Sequence, residues 1–188
     1  MTASLVVSIL CALWTATGSG YQRAQPPAVI DTPVIREYIG MPQTPAELLE
    51  RSDAAAVVRF LRADDAPARG RAQTRYLVLV QALLKAHPHL AARAIVCRPI
   101  GVVQKGPQRL RVFEPGFDAF ALNQEYVLFL TWSERDECYW PSFGRDAAGV
   151  FDADGRFRPA GGGPALRELA GTSKDAVIQE VVSKAKLR

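Results

Sequence analysis

Two segments of this chain are apolar on both faces of what residue alternation marks as a β-strand. Glu125 to Trp132 sets Tyr126, Leu128, Leu130 and Trp132 on one side and Val127 and Phe129 on the other. Thr74 to Leu84 sets Tyr76, Val78 and Val80 against Leu77 and Leu79. A strand in a half-solvated sheet needs only one apolar face, so strands of this kind must be covered on both sides. Leu and Ala in the second run would also suit a helix, but its Tyr-Leu-Val-Leu-Val core favours a strand.

Residues 21–43 are rich in proline (Pro26, Pro27, Pro33, Pro42) and read as an extended lead-in or tether. A single domain is expected over 44–188. Its first element is announced by Thr44-Pro45-Ala46-Glu47, a capping hydroxyl, a proline at the first helical position and an acid in the first turn. The short helix runs to about Arg51 and presents Leu48 and Leu49. Ala54 to Leu61 is a β-like run ending in the turn-prone Asp64-Asp65-Ala66-Pro67. Ala94 to Val103 is a further strand interrupted at Pro99, which cannot donate to a ladder. Leu110 to Phe113 is a short fourth candidate. Gly149–Asp152 and Arg156–Arg158 flank Asp154-Gly155, a dipeptide suited to the positive φ of a tight hairpin. Thr172-Ser173-Lys174-Asp175 opens a final helix whose stripe is Val177, Ile178, Val181, Val182 and Ala185. That stripe needs a surface, and the doubly apolar strands offer one.

Residues 1–20 read as an export signal. Thr2 to Gly20 carry no charge, Leu5 to Trp14 form an apolar run too short to span a bilayer, and small residues follow. Cleavage near Gly18 or Gly20 would leave an extracytoplasmic protein, periplasmic or secreted; a retained anchor is the alternative. Beyond the signal only Cys97 and Cys138 remain, and an oxidising compartment would allow them one bridge. Two buried free thiols are the competing reading. The net charge of +4 is scattered among acids instead of blocked, so nucleic acid is not an expected partner.

No motif of catalysis is present. There is no Gly-x-Ser-x-Gly elbow, no phosphate loop and no calcium loop around Asp152 and Asp154. His87 and His89, the only histidines, flank Pro88 and supply two of the three or four ligands a zinc site needs. No cofactor is expected. The aromatic residues Tyr126, Trp132, Tyr139, Trp140 and Phe143 could form a stacking platform with Arg109 and Arg111. Core packing is the commoner fate of Tyr126 and Trp132, so Trp140 and Phe143, on either side of Pro141-Ser142, are the surface candidates, with Arg109 and Arg111 beside them.

Four short stretches carry a family resemblance. They are Ser52-Asp53 through Arg59, Tyr76 through Leu83-Leu84-Lys85, Asn123-Gln124-Glu125-Tyr126-Val127-Leu128-Phe129-Leu130, and the hairpin Gly149-Val150-Phe151 to Asp154-Gly155-Arg156. Over residues 44–185 the chain resembles the secreted bacterial relatives of the netrin-like domain, whose fold is shared with tissue inhibitors of metalloproteinases. The resemblance implies a mostly β protein with flanking helices: a five-stranded OB-like barrel plus a C-terminal amphipathic helix. It does not extend to inhibitor chemistry, which needs a cysteine at the mature amino terminus, because no cysteine occurs between Gly20 and Cys97. The expected function is non-enzymatic binding of a protein or envelope component. A metal-dependent hydrolase using the His87/His89 turn and an oligonucleotide or sugar binder on the barrel face are the alternatives.

Overall fold

The computed structural model describes residues 28–34, 38–68, 70–117 and 119–186, with side chains to residue 183. Residues 1–20, expected to be an export signal, and the start of the lead-in lie outside these residues. Strands β2 (Ala54–Asp65), β3 (Thr74–Lys85), β4 (Arg93–Arg98), β7 (Glu125–Ser133) and β8 (Cys138–Pro141) pair in the ring β7-β2-β3-β4-β8-β7. The result is a closed five-stranded barrel. All neighbours in the ring are antiparallel except β4 and β8, which run parallel and share one register pair, Val96 opposite Tyr139. The disulfide Cys97–Cys138, with Cα atoms 6.1 Å apart, lies next to that pair. The bridge expected as one of two possibilities is thus present, and both cysteines are fully buried.

Successive residues of the central strands enter opposite cores, as the sequence requires. Ala54, Ala56, Val58 and Phe60 of β2 join Tyr126, Leu128 and Leu130 of β7 inside the barrel. Ala55 and Val57, with Val127 and Phe129, face outward into a second core. That outer core is built from α1 (Pro45–Glu50), α2 (Lys174–Lys186), the hairpin β9 (Ala148–Phe151) and β10 (Phe157–Pro159), and the 3₁₀ turn Pro164–Leu169. Val177 and Val181 of α2 are fully buried there, in the core that covers the outer rows of β2 and β7 and the end of β3, whereas Leu77 and Leu79, expected to form a covered second face of β3, are half-buried and belong to neither core. Ala185, the last residue of the expected stripe, has no described side chain.

The corner between α1 and β2 is hydrogen-bonded on every side. Thr44 Oγ1 accepts from the Glu47 amide at 3.2 Å and starts the helix. At its end Lys85 Nζ donates to the Leu49 and Ser52 carbonyls, a cation placed where the helix dipole is negative. Ser52 Oγ donates to the Leu48 carbonyl at 2.7 Å, and Asp53 accepts from the Trp132 amide at 2.8 Å. Glu125 receives Lys174 at 2.8 Å and Arg59 at 2.6 Å, tying α2 to the barrel. The hydrogen bond from Lys174, aided by that from Arg59, holds the Glu125 carboxyl below its usual range.

Several elements depart from the sequence expectation. β2 continues to Asp65 instead of stopping near Leu61, because its far end pairs only with β3, where charged residues are tolerated. The run from Ala94 to Val103 is two strands in different sheets. Pro99 ends β4, and β5 (Gly101–Lys105) pairs with β6 (Gln108–Phe113) in a separate three-stranded sheet. Gly101 makes the change of direction at φ +121°, a conformation closed to residues with a Cβ. The third strand of that sheet is β1 (Val29–Pro33), from the proline-rich lead-in, parallel to β6. The β9–β10 turn has positive φ at Gly155 alone, with Asp152 Oδ1 accepting from the Asp154 and Arg156 amides.

Leu128→Ala and Phe129→Ala, neighbours pointing into opposite cores, are each expected to lower the unfolding free energy by about 3 kcal/mol in denaturant titrations. An outer core that contributed little would leave Phe129→Ala nearly silent.

Candidate functional site

Two loops converge beside the disulfide. The β2–β3 loop, 66–73, is held by the Ala66 amide on the Gln73 carbonyl at 2.8 Å and by reciprocal bonds between Ala68 and Arg71. The β7–β8 loop, 134–137, is braced by Ser133 Oγ on Asp136 and by Arg75 donating to the Asp136 carbonyl at 3.3 Å. Between them lies a cleft of about 280 Å³ lined by Arg71, Gln73, Pro99, Arg135, Asp136 and Trp140. Gln73 is buried, and its Nε2 donates to Cys97 Sγ at 2.9 Å, so the cleft floor rests on the disulfide. Arg71 and Arg135 are exposed, and among the described residues neither is in an ion pair. Asp136 is the one carboxylate among the lining residues, beside the two guanidinium groups.

In a five-stranded barrel of this topology, the loops after the first strand and before the last frame the ligand face. The cleft occupies that position. Its volume sits at the lower edge of the range usual for ligand pockets, about 300–1,000 Å³.

The four residues expected at a binding surface are separated. Trp140 is half-buried and lines the cleft. Phe143 is not on the surface: it is 6 % exposed and belongs to the outer core. The chain turns inward after Pro141, which sets the Phe143 ring edge-to-face with Tyr38 and under the Arg51 guanidinium at 4.7 Å. Arg109 and Arg111 are exposed on β6, in the three-stranded sheet, and Arg111 is paired with Asp31 of β1 at 2.7 Å. Neither lines the cleft. Arg71, Gln73 and Arg135 went unread because they lie in loops without periodicity. Their only signal is position, each flanking a strong strand of the barrel.

The histidine turn forms a different cluster. His87 Nδ1 lies 2.8 Å from the Tyr139 hydroxyl, and His89 stacks on Trp132 with centroids 4.4 Å apart and planes at 10°. Glu134 is 3.8 Å from His89 Nε2. No group of three His, Cys, Asp or Glu side chains among the described residues could hold a metal ion. Burial, with a smaller push from the Asp53 charge, raises the Tyr139 pKa to about 12, so its phenol stays protonated at neutral pH.

No family model matches the chain, and no curated protein matches it. Among the described residues no helix is long and apolar enough to cross a membrane.

Between about pH 10, where an unfolded tyrosine ionises, and about pH 12, where Tyr139 does so in the folded protein, unfolding releases a proton to solution. Stability is therefore expected to fall as pH rises through that window. Tyr139→Phe should remove that share of the fall, read from denaturation curves at stepped pH. Reduction of Cys97–Cys138 under mild denaturant, or the double Ala variant, is expected to cost up to about 4 kcal/mol for a loop of this separation.

Proposed function

We propose that the protein is an exported, non-enzymatic binding module that takes an acidic segment of a protein or envelope component into the cleft between residues 66–73 and 134–137. The observation that carries this reading is the pairing of two uncommitted guanidinium groups, Arg71 and Arg135, with the Trp140 ring in one small opening. Arg and Trp are the residues that dominate protein interfaces when clustered in a pocket. Arginine forks recognise carboxylates in a two-point geometry. The buried disulfide supports export, since such bonds persist in oxidising compartments.

We further place the chain near the netrin-like group. In support, three of the four stretches that carry the resemblance are neighbouring strands β2, β3 and β7 of one barrel. Asn123, at a position where Gly or Asn recurs in the group, has φ 63°, a conformation those two residues tolerate.

A pull-down from envelope fractions with the full chain tests the function. Wild type is expected to recover a partner, and the triple variant Arg71→Ala, Arg135→Ala, Trp140→Ala should recover about tenfold less or weaker at unchanged thermal midpoint. Recovery of nothing above background, or equal recovery by the variant, removes the reading. Titration with a single-stranded oligonucleotide at low salt serves as the control: strong binding that weakens with added salt would mark a nucleic-acid surface instead.

A further inference from the structure

A second cavity, of about 520 Å³, opens between the mouth of the barrel and the three-stranded sheet. Its apolar walls are Ile100, Val102, Val112, Phe113 and Phe117. Phe113 is 37 % exposed, so part of that apolar lining is left in water. The cavity shares no lining residue with the arginine cleft, and its volume is in the usual range for small-molecule sites.

The charged side chains of the lining are Asp65, Arg111 and Glu114. Two of them are neutralised: Glu114 is held by Arg98 at 2.9 Å, and Arg111 is paired with Asp31 at 2.7 Å. Asp65, the last residue of β2, has no ion pair among the described residues. Its carboxylate is the charge left over in the lining.

That carboxylate is also short of donors. Asp65 pairs across the ladder with Thr74, whose Oγ1 lies 3.1 Å from Asp65 Oδ1 and 2.9 Å from the Ile100 carbonyl. A hydroxyl has one proton, so it serves one of these oxygens at a time and leaves the other an open acceptor. Gly101 leaves room beside them, since a Cβ there would stand 3.0 Å from Asp65 Oδ1 and 3.1 Å from Thr74 Oγ1.

A ligand that complements this lining carries positive charge and hydrogen-bond donors at one end and an apolar body behind them. An ammonium group has three N–H donors and meets a carboxylate in short, charge-assisted bonds. A body laid on the Phe113 and Phe117 rings takes apolar surface out of water. A lysine side chain from a partner has the same end group, but its slender stem leaves most of the volume empty.

We propose that this cavity binds a small organic cation, an ammonium group on a bulky apolar body, with the ammonium on Asp65 and the Ile100 carbonyl. The site is independent of the arginine cleft.

The test uses the full chain and dansylcadaverine, a primary amine on an aromatic body whose fluorescence rises when it leaves water. N-pentyl dansylamide, the same body without the ammonium, is the neutral control. Saturable binding of the amine at one per chain is expected, with the control about fivefold weaker. Asp65→Asn keeps an oxygen for Thr74 and removes the charge. It should weaken the amine about fivefold, the upper worth of an ion pair at an exposed carboxylate, and leave the control and the thermal midpoint unchanged. Ala63→Trp, at an exposed position on the cavity rim, should weaken both compounds. Nα-acetyl-lysine methylamide, standing for a partner's lysine, should not displace the amine. Absence of saturable binding, equal binding of the control, either variant binding as wild type does, or displacement by the lysine compound overturns the proposal. So does an Asp65→Asn variant that weakens both compounds alike. The triple variant of the arginine cleft should bind the amine as wild type does, and loss there would place the amine in the cleft and overturn the proposal.

Discussion

Strands β2 and β7 have no solvent-facing side over most of their paired length. Residues 54–58 and 127–130 are all at 0 % exposure, so each strand lies between two apolar cores one backbone thick. Closing the sheet into a barrel buries only the inner row. The outer row, Ala55, Val57, Val127 and Phe129, demands a second layer, and α1, α2 and the β9–β10 hairpin are that layer. The helices are therefore part of the barrel's stability instead of ornaments on it. The cleft follows the same partition: none of its lining residues belongs to the helix-covered outer core.

How legible this was depended on whether pattern or register decides a residue's place. β7 could be read directly, since five or six alternating residues leave no other assignment. β3 could be read as a strand but not face by face. The register against β2 shifts between Val57 and Val58, so Ala82 turns to the outer core although it shares parity with Tyr76 and Val78. Leu84 joins it there, while Leu83 is left 51 % exposed. β8 was missed as an element because four residues carry too little alternation. Phe143 was misplaced for a related reason: nothing local records that the chain turns inward after Pro141. The arginines of the cleft lie in loops, where sequence has no period and only the closed topology brings residues together.

The stretches that carry the family resemblance hold positions explained by folding. Ser52 and Lys85 close the end of α1, Asp53 fastens the β7 backbone, and Arg59 meets Glu125 where α2 begins. None of these residues lines the cleft. Residues of this kind specify an architecture, and an architecture by itself does not fix a function.

The seam between β4 and β8 has a consequence for the life of the chain before it matures. With one rung of register and one sulfur bridge, that joint is the weakest hydrogen-bonded edge of the ring. Without the bridge a single rung would join β4 to β8, and parting there would leave two strand edges, each able to pair with a neighbouring molecule. The bridge is the clasp on that seam, and Gln73 lies over it with its amide on Cys97 Sγ. A chain oxidised late would thus be exposed to filament-like stacking for as long as the clasp stayed open.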